Sequence, residues 1–213
     1  MSSDTNTVSR YTTGARINHW ITAVSLILLA LSGMALFHPS LFFLTHLFGG
    51  GQATRAIHPW IGVVLAISFT GMFFRFFKLN LWKREDTVWI MNPGKVLNGD
   101  EEGLPEIGKY NAGQKLVFWG QSILILLLFC SGLVLWDVYF EAYTSIDQKR
   151  LSAVVHALCA IGAILIWIVH VYAAIWVKGT LRAMTRGTVT RGWSWKHHRK
   201  WLRQEVRQGT GKS

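Results

Sequence analysis

The sequence contains few of the residues that build metal clusters or disulfide frameworks. It has two cysteines in 213 residues, Cys130 and Cys159, and both lie inside long apolar runs. A thiol in that setting usually serves as a small packing residue. No CxxCH motif, the signal for covalent haem attachment, is present. The cysteines therefore support neither an iron-sulfur cluster nor a disulfide framework.

Acidic residues are also scarce, with 11 Asp and Glu against 22 Lys and Arg, and the apolar cores of the long runs contain none. Hydrophobic residues make up 51% of the chain, and eleven are tryptophan. A membrane about 30 Å thick needs roughly 20 residues of helix. A soluble fold would have too little amphipathic sequence to cover four such runs. We predict an all-α integral membrane four-helix bundle, with transmembrane helices at about 17–37, 56–77, 114–137 and 150–178.

The loops between these runs differ in charge, and this difference predicts the orientation of the chain. Loop 38–54 has no Lys or Arg and loop 137–149 has only Lys149, whereas loop 78–113 and the tail 179–213 are rich in both. Basic loops stay on the cytoplasmic side of a membrane. We therefore predict that both termini are cytoplasmic. The first apolar run lacks a clear cleavage site, so we expect it to be retained as a membrane helix.

The basic tail accounts for much of the net charge of +11. Its stretch WSWKHHRKWLRQEVR (193–207) mixes tryptophans with cations, which is typical of a helix lying on a membrane surface. We therefore expect anionic lipids, and not nucleic acid, to be its partner. His197 and His198 in this stretch are expected to be surface residues rather than metal ligands.

Four of the eight histidines lie in or at the ends of the predicted membrane helices. With the N-terminus inside, His19 lies near the cytoplasmic face and His58 near the outer face. The last helix runs inward, so His156 lies near the outer face and His170, 14 residues or about 21 Å later, near the inner face. Steps of about 100° return His170 to within about 40° of the direction of His156. The sequence predicts two pairs, His58 with His156 and His19 with His170.

Paired neutral imidazoles from facing helices suit an iron porphyrin, whose two axial positions lie on opposite faces of an apolar ring. Zinc usually takes three or four protein ligands. Proton relays in membranes usually include carboxylates, which the spans lack. We therefore predict two b-type haems with the four histidines as axial iron ligands, and electron transfer as the function. The alternative from the residues alone is a haem-free membrane anchor or proton-conducting protein.

Haem propionates require cations near the membrane surfaces. Arg55 outside and Arg16 inside lie at suitable depths, and both are candidates for propionate contacts. Interfacial arginines also extend to the headgroups in the absence of any ligand. This hypothesis therefore depends on depth alone.

Several segments resemble the cytochrome b (gamma) subunit of the bacterial membrane-bound formate dehydrogenases. They are RINHW (16–20), IHPWIGVV (57–64), YNAGQKLVFW (110–119) and HVYAAIWVKGT (170–180), followed by RGTVT and KHHRKW. The likeness extends in order over nearly the whole chain. The cytochrome b subunits of nickel-iron hydrogenases share the histidines but resemble this chain less in the NAGQK segment.

The resemblance implies the ligand pairs already reached from depth, and it adds partners and a location. The chain would lie in the bacterial inner membrane and receive electrons from an iron-sulfur beta subunit on the periplasmic side. A catalytic alpha subunit that contains molybdenum or tungsten and oxidises formate would supply the beta subunit with these electrons. The electron acceptor would be a quinone, menaquinone or ubiquinone, near the inner haem. The chain itself would then have no catalytic residues for formate oxidation.

The resemblance also implies a quinone-binding site at Asn111, Gly113 and Gln114. The two amides can form hydrogen bonds to quinone oxygens, and a glycine allows the ring to approach the backbone. From the residues alone, YNAGQ is better explained as a polar helix entry with Asn111 as its cap, and it is the resemblance that favours quinone binding. The structure of this turn therefore bears on both interpretations.

Overall fold

The computed structural model describes residues 6–98 and 103–210. Its regular elements, in chain order, are β1 (Thr7–Ser9), α1 (Thr13–Phe37), α2 (Gly51–Phe76), α3 (Arg84–Ile90), α4 (Pro93–Asn98), α5 (Ala112–Val134), α6 (Asp137–Phe140), α7 (Ile146–Trp176), α8 (Thr180–Thr185), β2 (Thr188–Thr190), α9 (Arg191–His197) and α10 (Arg199–Thr210). Short 3₁₀ helices occupy Pro39–Phe48, Phe77–Asn80 and Glu141–Tyr143.

Four helices are long and apolar enough to cross a membrane: α1, α2 with the 3₁₀ turn that follows it, α5 and α7. The shortest, α5, has 23 residues and extends about 35 Å at 1.5 Å per residue. This length exceeds a hydrocarbon core of about 30 Å. The predicted all-α membrane bundle with four spans is confirmed, and the chain is a multi-pass membrane protein.

The helices begin before the apolar runs that predicted them. α1 begins at Thr13, α2 at Gly51 and α7 at Ile146, because the polar residues ahead of each run continue the helix. The earlier start of α2 places Pro59 in the helix interior rather than in the first turn. A proline there has no N–H for the carbonyl of Arg55, four residues earlier. The backbone next to His58 therefore lacks one helical hydrogen bond.

The chain forms two compact units, each with its own hydrophobic core. The span unit comprises Ile17–Arg75 and Gly120–Val169. The loop-and-tail unit comprises the described residues within Met1–Arg16, Phe76–Trp119 and His170–Ser213.

Apolar packing and a few polar contacts hold the helices of the span unit together. Its buried core consists of Leu65, Phe69 and Ile125, with Leu26, Leu29, Met72 and Phe73 packed against them. Asn18 donates from Nδ2 to the Ser68 carbonyl at 3.1 Å, and Gln121 donates from Nε2 to the Ala163 carbonyl at 2.8 Å. Hydrogen bonds of this kind fix the contact between helices where lipid gives no hydrophobic driving force.

The loop-and-tail unit joins the beginning of the chain to its end. β1 pairs antiparallel with β2, with Thr7 opposite Thr190 and Ser9 opposite Thr188. The buried core behind this pair consists of Ala183, Val189, Trp193 and Trp201. The tail is therefore a packed part of the protein.

The predicted surface helix at the C-terminus is divided into α9 and α10, with His198 between them in a non-helical conformation. α10 exposes several side chains, but His198 is only 1% exposed. The expectation that His198 is a surface residue is therefore wrong. The physical reason is that distant segments supply its partners: the Gly108 carbonyl lies 2.7 Å from Nδ1, and Arg10 lies 3.3 Å from Nε2.

Candidate functional site

The span unit brings two of the four predicted ligand histidines together. His58 on α2 and His156 on α7 have ring centroids 6.3 Å apart, and the ring planes are inclined by 64°. Both side chains are half-buried. This is the pair that the sequence predicts near the outer face.

Ser32 on α1 forms one hydrogen bond to the imidazole of His58 and another to its own helix, both through Oγ. Its Oγ lies 2.7 Å from the Leu28 carbonyl oxygen and 2.7 Å from Nδ1 of His58. Each contact needs one hydrogen, and the hydroxyl has one while the carbonyl has none. The hydroxyl therefore donates to Leu28, and Nδ1–H of His58 donates to the hydroxyl. Nε2 of His58 is then left with a lone pair, the form of imidazole that binds a metal.

Ser131 on α5 makes the same arrangement with His156. Its Oγ lies 2.7 Å from the Leu127 carbonyl oxygen and 2.9 Å from Nδ1 of His156. The same count of hydrogens assigns Nδ1–H to His156. In the neutral form of both rings, Nε2 then has the lone pair, so the two imidazoles are in the same tautomer.

The spacing of the two rings fits an axial pair of haem ligands. Bonds of about 2 Å from a metal to one nitrogen of each imidazole place the ring centroids about 6 Å apart. Two glycines adjoin the rings: a Cβ on Gly33 would lie 3.5 Å from Cε1 of His58, and one on Gly132 would lie 3.4 Å from Cε1 of His156. A Cβ at either position would therefore be in van der Waals contact with an imidazole. The donor set and its surroundings therefore fit haem iron.

No group of three or more His, Cys, Asp or Glu side chains that could hold a metal ion occurs within 6–98 and 103–210. A tetrahedral zinc site needs such a group. Two imidazoles, by contrast, complete the axial coordination of a haem. The comparison favours haem over zinc for the described residues.

The other predicted pair, His19 and His170, stays a prediction. His19 lies on α1 in the span unit, and His170 lies on α7 in the loop-and-tail unit. α7 is one uninterrupted helix over Ile146–Trp176. It therefore carries His156 and His170 with the helical spacing on which the prediction depends.

Asn111 and Gln114 form a reciprocal cap at the start of α5. The Gln114 N–H donates to Asn111 Oδ1 at 2.9 Å, and the Asn111 N–H donates to Gln114 Oε1 at 3.1 Å. This is a capping box in which both side-chain oxygens are used. The helix-cap interpretation of YNAGQ therefore describes the turn correctly. The amide nitrogens of both side chains are not used by the cap.

A cavity of about 590 Å³ lies in the loop-and-tail unit, and Asn111 lines it. Trp89, Trp176 and Trp193 supply aromatic walls, and Lys178 is among the cations at its edge. A volume of this order is within the range of small-molecule sites. The lining is mixed, because it includes charged side chains of both signs besides the aromatic rings. The cap therefore lies beside a space large enough for a ring-shaped ligand.

The two candidate propionate partners have different surroundings. Arg16 donates to the Thr185 carbonyl at 2.6 Å and to Thr13 Oγ1 at 3.2 Å. Its buried Nε has no hydrogen-bond partner among the described residues. Arg55 is exposed on α2, three residues before His58. Propionate binding by either arginine stays a prediction.

Sequence reasoning missed Ser32, Ser131 and Gly132. A signal was present, because Ser–Gly occurs near the end of α1 and again near the end of α5. The intervals from serine to histidine are 26 and 25 residues. The repeated spacing indicates that each serine forms the same hydrogen bond to the histidine of the long helix that follows it.

Four membrane helices and a pair of imidazoles, His58 and His156, at the spacing of axial haem ligands are the features of a membrane cytochrome b. A family model described as prokaryotic cytochrome b561 matches residues 10–187, and the chain belongs to that family. Membership in a cytochrome b family implies b-type haem as cofactor.

Several relatives are similar over most of their length. The formate dehydrogenase cytochrome b556(fdo) subunit of Escherichia coli is 44% identical over 207 residues, 97% of each chain. The nitrate-inducible formate dehydrogenase cytochrome b556(Fdn) subunit of Escherichia coli is 38% identical, covering 89% of this chain and 87% of the relative. The formate dehydrogenase cytochrome b556 subunit of Haemophilus influenzae is 35% identical, covering 97% and 86%. The resemblance noted in the sequence is confirmed.

Proposed function

We propose that this chain is the di-haem cytochrome b subunit of a membrane-bound formate dehydrogenase. It carries electrons from an iron-sulfur subunit on the periplasmic side to a quinone near the cytoplasmic face. The observation that carries the proposal is the His58–His156 pair, with ring centroids 6.3 Å apart. The names and the high coverage of the relatives support the choice of complex.

In this proposal His58 and His156 hold the outer haem, and His19 and His170 hold the inner one. A haem between two imidazoles has no open coordination position and supplies one-electron transfer. Ser32 and Ser131 keep the proton of each outer imidazole on Nδ1, which directs Nε2 to the iron. The uninterrupted α7 supplies one ligand at each depth.

The quinone would lie in the cavity beside Asn111. The cap engages Oδ1 of Asn111 and Oε1 of Gln114, so the NH₂ group of Asn111 is the amide donor at the cavity that is available for a quinone oxygen. Gln114 and Gly113 follow in the same turn and do not line this cavity. A Cβ on Gly113 would lie no closer than 3.5 Å to Asn111 Oδ1 and to Trp89, which is an ordinary contact. The packing of the protein itself therefore does not require a glycine at this position.

Orientation follows from charge, and we propose that both termini are cytoplasmic in the bacterial inner membrane. Lys200 is paired with Glu85 and Arg203 with Glu106 at 2.8 Å. Contact of the tail with anionic lipids therefore depends on its other exposed cations, such as Arg191. The partners are the iron-sulfur beta subunit and the molybdenum or tungsten alpha subunit.

Haem content and redox difference spectra of the complex purified from membranes test the haem assignment. The expected result is b-type absorption with two haems per chain. His170→Ala should remove the inner haem and leave the outer one, whereas His58→Ala should do the reverse. Loss of the outer haem alone in His170→Ala would overturn the pairing, and absence of haem from the unaltered protein would overturn the function.

Asn111→Ser tests the quinone site, because serine caps a helix as well as asparagine does but has no amide nitrogen. We expect unchanged haem content, unchanged reduction of the haems by formate and a large loss of quinone reduction. Asn111→Ala removes the cap as well and serves as the comparison for stability. Wild-type quinone reduction in Asn111→Ser would refute the role of this amide.

Identification of the proteins that co-purify with the chain tests the partner assignment. We expect an iron-sulfur subunit and a catalytic subunit that contains molybdenum or tungsten. A complex that oxidises hydrogen but not formate would indicate a hydrogenase cytochrome b instead.

A further inference from the structure

The two serine–histidine contacts of the span unit have the same arrangement. Each serine lies near the end of one helix and supports a histidine near the start of the next long helix. The Oγ–Nδ1 distances are 2.7 and 2.9 Å, and both hydroxyls donate to a carbonyl four residues earlier at 2.7 Å. Ser32 is 0% exposed and Ser131 is 6% exposed. Water therefore does not compete for either contact.

Each serine donates its hydroxyl hydrogen to a carbonyl of its own helix. Its oxygen is therefore available to the histidine only as an acceptor. The oxygen accepts a hydrogen bond from Nδ1–H and does not donate to the ring. When Nδ1–H of an imidazole donates a hydrogen bond, Nε2 of the same ring becomes more basic. In a buried setting this electrostatic effect is stronger than in water. The acceptor is neutral, so the ring keeps its proton.

We propose that Ser32 and Ser131 are positioning residues that jointly lower the reduction potential of the outer haem and fix the orientation of both ligand rings. The proposal depends on the proposed function, in which His58 and His156 ligate that haem. A more basic axial ligand stabilises oxidised iron relative to reduced iron, and two such ligands act in the same direction. Removal of either hydroxyl should therefore raise the potential.

The inner haem provides an internal reference. Its proposed ligand His19 lies 13 residues, about 20 Å along α1, from Ser32, and His170 lies 14 residues, about 21 Å along α7, from His156. A change confined to the serines should shift one of two redox transitions. A general loosening of the bundle would instead alter both transitions or lower the haem content.

The test is a potentiometric titration of the haems in membranes that contain the complete complex with Ser32→Ala, Ser131→Ala or both. The outer-haem transition, assigned by its absence in His58→Ala, should move to a more positive potential in each single variant and further in the double variant. The inner transition should not move. The electron paramagnetic resonance signal of the oxidised outer haem should also change, because the rings are no longer held at their native orientation.

Three further variants keep the result interpretable. Thr54→Val removes a hydroxyl that is also 0% exposed and donates to the Gly50 carbonyl four residues earlier at 2.8 Å, and it should leave both transitions in place. Ser131→Thr retains the acceptor and should keep the wild-type potential. If alanine at either site costs the haem, Ser32→Cys supplies a weaker acceptor of similar size, and it should raise the potential without that loss.

An outer transition that does not move in the double alanine variant, with both haems present, would overturn the inference and leave the proposed function intact. Equal shifts of both transitions would also overturn it. If His58→Ala leaves both transitions in place, the ligand assignment itself fails. The two failures are therefore distinguishable.

Discussion

The guanidinium of Arg10 lies 3.3 Å from Nε2 of His198, 188 residues further along the chain. Nδ1 of His198 lies 2.7 Å from the Gly108 carbonyl, so Nδ1 donates and Nε2 accepts the hydrogen bond from Arg10. This arrangement requires a neutral imidazole. One buried histidine thus joins the N-terminal lead, the middle loop and the tail.

Protonation of His198 should loosen the tail. Burial and the neighbouring Arg10 lower the pKa of His198 from 6.5 to about 3. Between these two values the unfolded chain binds more protons than the folded one, so stability falls as the pH falls through this window. At pH 5 the loss is about 2 kcal/mol. Hydrogen exchange of α9 and α10, corrected for intrinsic rates, should show reduced protection at pH 5 relative to pH 7.

His198→Asn should remove most of this pH dependence. His197→Asn is the comparison variant: burial and Lys196 also lower the pKa of His197, so this variant measures how much of the pH dependence belongs to the neighbouring ring. Retention of the full pH dependence in His198→Asn would contradict the assignment.

Gly187→Ala should destabilise the loop-and-tail unit. Gly187 has φ +79°, and an added Cβ would lie 2.8 Å from the carbonyl oxygen of Tyr11. The left-handed conformation alone costs about 1–2 kcal/mol for alanine. Gly192→Ala is the control, because its Cβ would meet nothing within 4 Å. Limited proteolysis should cleave the tail faster in the first variant only, and equal rates in both would refute the prediction.

Lys115→Met should destabilise the start of α5. Lys115 and Asp86 form an ion pair at 2.6 Å, and each side chain is 4% exposed. Removal of one partner leaves a buried charge uncompensated, which costs about 3–5 kcal/mol. The double variant Asp86→Asn with Lys115→Met should recover much of the loss. Thermal unfolding in detergent measures both, and a neutral single variant would show that the pair contributes little.

Gly113→Ala should separate quinone binding from folding. A Cβ at this position would meet Asn111 Oδ1 and Trp89 at 3.5 Å, an ordinary contact, and alanine is a better helix former than glycine. We expect thermal stability to be unchanged or higher and quinone reduction to fall. Wild-type quinone reduction would place the ring elsewhere in the cavity.

Run length and depth were sufficient to predict the four spans and the proximity of His58 to His156, because both follow from the lengths of the apolar runs and the alternating direction of the helices. The partners of His198 could not be predicted in the same way. Arg10 and Gly108 lie far from it in sequence, and no local pattern marks a contact between a loop and a tail. The serine supports lie between these cases, since their repeated spacing was visible but has no meaning until two helices are packed together.

The uninterrupted helix α7 carries His156 and His170 on one rigid element. Its segment between them should therefore tolerate substitutions of apolar residues but not changes in length. Insertion of one residue would rotate His170 by about 100° relative to His156 and advance it by about 1.5 Å. Relatives that keep both ligands should differ in this segment by exchange of side chains and never by a gap.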